Sequence, residues 1–423
     1  MGCAKNLVDS EQLLKQLECS GFTVVFDPGS SIRLDALIIN TCGFIESAKR
    51  ESVDTILHYV SLKKNGKIRK LYLMGCLTER YRSELQKEIP EADGIFGVNE
   101  LQKVITALGG TYRQNLLGER HLTTPGHYAY LKIAEGCSRR CSFCTIPGIR
   151  GPHLSKPMDA VIREAEILAA SGVRELLVIS QDTTYYGIDR YGRRKLAELL
   201  RRLSEINGIE WIRLHYAYPE SFPVEVMDLI SEAPHICKYL DIPLQHISSR
   251  ILRSMKRGLT GDKTRALIRT IREKIPGITL RTTFITGYPG ETDEEFRDLC
   301  SFVTETRFDR MGAFPYYREE GTASSLITDN IPVQLRMSRL SMLMGMQEEI
   351  SLQLNQEKVG RKLKVIIDSR EGEHWTGRTE ADSPEVDQEV IVRDTGIPLN
   401  PGEFHQVMID KAGTFELYGY VTE

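Results

Sequence analysis

Long apolar runs are missing from this chain, and so is any excess of basic charge. No stretch is hydrophobic enough to span a bilayer, and the opening residues MGCAKNLVDSE turn polar at once, so neither an anchor nor a secretory leader is read from them. The 55 Lys and Arg are balanced by 58 Asp and Glu, a net of -3, which excludes a chain-wide attraction for nucleic acid and leaves only local patches for it. Cysteine is scarce, nine in 423 residues, and 41% hydrophobic content provides for packed cores without covalent staples. The composition predicts a cytoplasmic protein with no membrane partner, whose cysteines are metal ligands or buried thiols.

What is present is alternation. DALIIN (35–40), KLYLMG (70–75) and DGIFGV read as buried parallel strands separated by amphipathic helices. A polar seam near 110–127 then separates six further candidate strands, AYLKIAE, ELLVIS, WIRLHYA, KYLDIPLQ, ITLRTTFITG and DRMGAFPY, each feeding a helix. Six such units predict a partial TIM-like barrel. A long helix over about 333–357 leads into short alternating runs from Lys362 onward, the pattern of a small all-β barrel. The fold class is α/β, in three domains: 1–112, an open parallel sheet; 123–353, the (βα)6 barrel; and 356–423, the β-barrel.

The cysteines cluster by position. EGCSRRCSFC (135–144) places Cys137, Cys141 and Cys144 in the loop at the carboxyl end of the first barrel strand, the face where such barrels carry their chemistry. Three thiols suit neither paired disulfides nor a four-ligand zinc site, unless a fourth ligand such as His153 joins them, and chance clustering is the bland alternative. Cys3, Cys42 and Cys76 sit at strand tips in the first domain, where an open parallel sheet gathers ligands. They can converge as a second triad; three inert buried thiols are the alternative. Cys19, Cys237 and Cys300 lack that setting and are read as core residues.

The C-x3-C-x2-C spacing in a first barrel loop resembles the radical S-adenosylmethionine superfamily. The resemblance implies a [4Fe-4S] cluster on Cys137, Cys141 and Cys144 whose open iron is chelated by S-adenosylmethionine, and whose electron cleaves that cofactor to a 5′-deoxyadenosyl radical. It places Phe143 beside the adenine, with packing under the loop an equal alternative, and likens ITGYPGET (285–292) to the turn bordering adenine and ribose, Gly287 and Gly290 allowing close approach. The superfamily's usual Gly-Glu-Glu is replaced here by ISQDTT, leaving Gln181 or Asp182 to accept from the cofactor's amine. Arg281 is the candidate for its carboxylate, with a barrel ion pair as the alternative.

Two triads and a final β domain resemble, over essentially the whole chain, the methylthiotransferases: an amino-terminal methylthiotransferase domain, a radical core and a TRAM domain. That resemblance implies two [4Fe-4S] clusters, the second on Cys3, Cys42 and Cys76, and transfer of a methylthio group to an unactivated carbon. GCAKNLVDSE and INTCGFIESAKRES are similar to the branch that modifies the β-carbon of an aspartate in small-subunit ribosomal protein number twelve, rather than a tRNA adenosine. A low-potential electron donor such as flavodoxin or ferredoxin and a sulfur donor follow as partners; no catalytic residue beyond the cluster ligands is implied. The strand expected before Gly2 is missing, which points to a late start or a trimmed sheet. From Arg361 to Glu423 there are 7 basic and 13 acidic residues, a net of -6, suited to a basic protein rather than phosphate, or to solubility alone. SMKRGLTGDKTRALIRTIREK is basic and reads as a solvated helix face, or as a contact for rRNA or an anionic electron donor. The rival of another class is a non-catalytic iron–sulfur carrier.

Overall fold

The computed structural model describes residues 2–27, 33–116 and 118–422. The first sheet is parallel in the order β1 (Leu34–Thr41), β2 (Ile68–Gly75), β3 (Gly94–Ile95). Its strands are aliphatic because both faces are covered: Leu37, Ile39, Leu71 and Leu73 pack with Ile56 and Val60 of the helix Glu46–Lys64, while Met74 meets Leu13 and Leu17 of the helix Ala4–Cys19. The register pairs Thr41 with Gly75. Cys42 and Cys76, the next residues, therefore leave the sheet side by side.

The central sheet comprises β4 (Tyr128–Lys132), followed by a short antiparallel pair, β5 (Ala134–Glu135) and β6 (Leu154–Ser155), and then β7 (Glu175–Ile179), β8 (Trp211–Leu214), β9 (Ile236–Asp241), β10 (Thr279–Thr286) and β11 (Arg310–Pro315). Six of these form one parallel sheet in the order β4-β7-β8-β9-β10-β11. Its edges, β4 and β11, leave the barrel partial, as the six repeats predict. Gly172 follows the helix Met158–Ala170, and Thr292 with Glu295 forms a complete capping box on the helix Asp293–Thr306. Outward residues such as Leu131, Val178, Leu214 and Leu280 join one large apolar core with the helices. Strand alternation turns the other set inward, and beside Leu177, Ile179 and Trp211 it carries the polar Tyr128, Lys132, Glu175, Arg213, Tyr239, Asp241 and Arg281.

Two elements cover that polar interior. Near the strands' carboxyl ends the helix Ala4–Cys19 sets Val8 against Tyr130, Leu177 and Ile179. At the amino ends sits the last domain, a closed barrel of β12 (Lys362–Glu371), β13 (His374–Thr379), β14 (Glu389–Arg393), β15 (Phe404–Ala412) and β16 (Glu416–Val421), in the order β12-β13-β14-β16-β15. Between β13 and β14 its chain turns into the central barrel. Asp382 accepts from Arg310 Nε at 3.1 Å, Asp387 accepts from Tyr239 at 2.8 Å, and Ser383 Oγ lies 3.0 Å from His215 Nε2.

Two expectations are corrected here. Arg281 does not await a cofactor carboxylate: its Nη1 bonds Asp241 at 3.1 Å and its Nε bonds Asp387 at 3.3 Å, which leaves it in the ion-pair network under the last domain. The acidity of that domain is also partly internal. Asp368, Asp382, Glu385 and Asp387 bond His127, Arg310, Tyr128 and Arg281 of the central barrel, so the charge turned outward is smaller than the sequence count of -6.

Candidate functional site

The loop that follows β5 is entered through Gly136, at φ +74°, where a Cβ would stand 2.1 Å from the Pro152 carbonyl oxygen; only glycine passes that carbonyl. Cys137 N–H donates to Gly151 at 3.0 Å, and Cys144 N–H to Cys141 at 3.2 Å, so the three thiols of the loop stand within electrostatic reach of one another. Burial pushes the Cys137 thiol up to about 11 and the Cys144 thiol up to about 12. As free thiols both are protonated at neutral pH, and a metal must displace those protons to bind.

The sulfurs are met by donors. Arg139 N–H points at Cys137 Sγ from 3.4 Å, and Arg257 Nη1 donates to Cys141 Sγ at 3.5 Å, with the Tyr218 hydroxyl 3.8 Å from the same sulfur. Residues 254–257 also clamp the loop, since Ser142 N–H bonds Met255 O at 3.0 Å and its hydroxyl bonds Ser254 O at 2.8 Å. Neither Tyr218 nor Arg257 was legible in the sequence; the only signal was that Arg257 lies in the basic stretch read as a solvated face. Among the described residues no three Cys, His, Asp or Glu side chains are gathered tightly enough for a single metal ion. His153, the candidate fourth zinc ligand, has its Nε2 3.2 Å from Ser155 Oγ.

Beside the loop, Gln181 donates through Nε2 to Glu135 at 3.0 Å while its Oε1 is buried without a partner. Arg139 likewise keeps a buried, unpartnered Nη2, although its Nε bonds Asp182 at 2.7 Å and its Nη1 bonds Glu220 at 2.9 Å. One orphan acceptor and one orphan donor are the complement of an amino acid's ammonium and carboxylate, so the residues fit the methionine end of S-adenosylmethionine. Of the two candidate acceptors, Asp182 is already committed to Arg139 and to Thr184, and Gln181 is the one with capacity to spare. Phe143 packs in one cluster with Ile285 and Tyr288, which brings the loop against the 285–292 turn. Gly287 has a more local reason than cofactor approach: at φ +69° a Cβ would meet Arg336 Cγ at 2.2 Å, and its N–H bonds Glu291 at 2.9 Å. Gly290, at φ +83°, has open space but for Arg250 Nη1 at 3.6 Å.

The amino-terminal cysteines lie within electrostatic reach of one another, two of them after strands and Cys3 at a helix start. Cys42 and Cys76 follow paired residues of β1 and β2, and Cys3 precedes the helix Ala4–Cys19 close enough that its charge is felt at both. A Cβ on Gly2 would lie 3.2 Å from Cys42 Cβ. Asn6 ties the group together, accepting from Cys76 Sγ at 3.6 Å and donating to Thr41 O at 3.0 Å. Burial pushes the Cys76 thiol up to about 11 and raises that of Cys42. Cys237 is buried beside Trp211 and Tyr239, and Cys300 packs against the main core, as read from sequence.

A partial parallel barrel with a three-thiol loop at its carboxyl face defines a radical S-adenosylmethionine enzyme, and residues 131–303 match the Radical SAM superfamily. Residues 1–97 match the Uncharacterized protein family UPF0004, and 359–422 the TRAM domain. The chain belongs to the ribosomal protein uS12 methylthiotransferase RimO family, enzymes that transfer a sulfur-containing group. It is 50% identical over 423 residues to the RimO of Cytophaga hutchinsonii, covering 100% of this chain and 97% of the relative. To that of Flavobacterium johnsoniae it is 51% identical over 419 residues, 99% of this chain and 96% of the relative. The fold is shared with the radical S-adenosylmethionine methyltransferase TsrM of Kitasatospora setae, solved with cobalamin and a [4Fe-4S] cluster, at a TM-score of 0.56 and 15% identity over 95% of this chain and 82% of that one. Family membership carries S-adenosylmethionine and a [4Fe-4S] cluster with it, and sets aside the carrier reading. Among the described residues no helix is long and apolar enough to cross a membrane.

Proposed function

We propose that this chain adds a methylthio group to the β-carbon of an aspartate in ribosomal protein uS12, in the cytoplasm, using two [4Fe-4S] clusters. The full-length likeness to RimO enzymes carries the reading and disfavours tRNA adenosine. When bound, a low-potential cluster supplies the electron that cleaves S-adenosylmethionine to a hydrogen-abstracting radical. Cys137, Cys141 and Cys144 would hold that cluster, with Arg257 Nη1 donating to the Cys141 sulfur and the Tyr218 hydroxyl, which donates to Arg257 O at 3.0 Å, holding that arginine's backbone in place. Gln181 Oε1 takes the cofactor's ammonium and Arg139 Nη2 its carboxylate, while Phe143, with Ile285 and Tyr288 behind it, flanks the adenine. Cys3, Cys42 and Cys76 hold the second cluster, where the sulfur to be transferred is handled. The helix Ala4–Cys19 on one side and residues 380–387 on the other cover the barrel interior, which would keep solvent-borne hydrogen donors and oxidants away from the reacting centre. A flavodoxin or ferredoxin as electron donor and a separate sulfur donor complete the system.

The test is mass spectrometry of ribosomal proteins from cells with and without this chain. One added methylthio group on one uS12 aspartate is the expected result; methylthiolated tRNA with unmodified uS12 overturns the substrate assignment.

A further inference from the structure

The six-residue spacing from Cys144 to Arg150 carries the chain out of the radical loop and across to the other domain. Arg150 lies at the end of the helix Ile146–Arg150, its side chain 2% exposed. Its Nη1 bonds Glu135 at 2.8 Å and Asp9 at 3.2 Å; its Nη2 bonds Asp9 at 3.3 Å and also Asn6 Oδ1. That Asn6 oxygen is the one that accepts from Cys76 Sγ, and the guanidinium itself lies against the Cys76 thiol, with Cys42 within electrostatic reach. Ile149, the preceding residue, packs against Cys76 and Val98. Lys132 closes a ring by bonding both Asp9 and Glu135, the latter at 2.8 Å.

The ring thus holds two carboxylates and two cations, with one member, Asp9, from the first domain and three from the barrel. Its far side reaches the cofactor end of the barrel, because Glu135 stands two residues before Cys137 and accepts from Gln181, whose other amide atom is the orphan acceptor. A continuous chain of contacts therefore runs Gln181, Glu135, Arg150, Asn6, Cys76. Nothing in the roles already assigned requires a buried arginine at the midpoint of that chain.

We propose that Arg150 is a positioning residue shared by the two thiol triads: it fixes Glu135 and Gln181 on the S-adenosylmethionine side and places its fixed positive charge on the sulfurs of Cys42 and Cys76 on the other. The inference rests on the reading of Cys3, Cys42 and Cys76 as holders of a second cluster. A cation beside a thiolate-bound cluster favours the reduced, more negative state, so Arg150 raises the reduction potential of the amino-terminal cluster. Asp9, which offsets that cation, lowers it.

The experiment uses the full chain, reconstituted anaerobically with iron and sulfide, on a background in which Cys137, Cys141 and Cys144 are replaced by alanine so that only the amino-terminal cluster remains. The readout is its midpoint potential by EPR-monitored titration. Arg150→Met is expected to shift the reduction equilibrium at least tenfold toward the oxidised form, about 59 mV for one electron. Arg150→Lys is expected to recover most of the shift, and Asp9→Asn to move the potential in the opposite direction. In the chain with all six cysteines, Arg150→Met also weakens binding of S-adenosylmethionine, read by its perturbation of the EPR signal of the other cluster. Unchanged potentials in Arg150→Met and Asp9→Asn at full iron content overturn the inference while leaving the two-cluster reading intact. If Arg150→Met fails to load iron, Asp9→Asn decides by the sign of its shift. No iron bound by the triple-alanine parent overturns both.

Discussion

Glu175 and Arg378, 203 residues apart in the sequence, meet at 2.7 Å with side chains 0% and 3% exposed. Glu175 also holds Arg213 at 2.9 Å, so one carboxylate from the first layer of the central barrel serves two buried cations, one of them from the last domain. The small β-barrel is thereby built into the base of the large one rather than tethered to it.

Replacing Glu175 with alanine leaves Arg213 buried without its carboxylate partner, while Arg378 keeps Asp368 at 2.7 Å. The expected cost is about 3–5 kcal/mol, the range for breaking a buried ion pair by removing one partner. Urea titration followed by the fluorescence of Trp211 and Trp375, one in each barrel, should show both domains losing stability in the same transition.

Acid should loosen the central barrel. Burial alone would raise the carboxyl of Asp241, but the hydrogen bond from His215 and the charge of Arg281 outweigh it and hold it down at about 2. Glu295, capped by Arg250, Ser248 and the Thr292 amide against its own desolvation, is likewise lowered to about 2. A carboxylate depressed on folding adds stability that is present above its unfolded value, about 4, and that is lost as pH falls through the folded value. Stability should therefore hold down to about pH 4–5 and decline toward pH 2, with Asp241→Asn flattening that decline.

The cofactor end of the barrel is testable through one atom. Gln181→Leu keeps the bulk near Glu135 but removes the buried acceptor, and the expected outcome is at least a tenfold rise in the Kd for S-adenosylmethionine, about 1.4 kcal/mol. Equilibrium dialysis on cluster-loaded protein checks it, with iron content unchanged as the control.

Gly287→Ala forces a methyl group into Arg336, whose guanidinium is itself held by the carbonyls of Tyr316 and Ile331 and cannot retreat freely. An overpacking cost of about 1–3 kcal/mol is expected, with added strain from the positive φ. Thermal unfolding measures the loss, and limited proteolysis should locate it at 285–292.

The two triads can be separated by metal analysis. Replacing Cys3, Cys42 and Cys76 with alanine should halve the bound iron and sulfide and abolish methylthiolation, while S-adenosylmethionine cleavage under strong reductant persists. Replacing Cys137, Cys141 and Cys144 should halve the iron and abolish both reactions.

The sequence by itself determined the elements that depend on local pattern. Strand tips, the C-x3-C-x2-C loop, the Thr292 capping box and the alternation of the last domain are set by residues within a few positions of each other, so period and spacing expose them. It also placed five of the six candidate ligands after strands, where parallel topology fixes the direction of the ends, whereas Cys3 stands at the start of the helix Ala4–Cys19. The partners of those ligands were decided only by tertiary structure. Arg281 reads as a cofactor clamp or an ion pair until Asp387 arrives from the last domain, and Arg150 and Arg257 carry no periodic or motif signal of their own. Charges in a barrel interior are paired across strands and domains, and that pairing depends on which chain segments close the barrel's two ends, a property of the packed molecule that no local stretch of sequence contains.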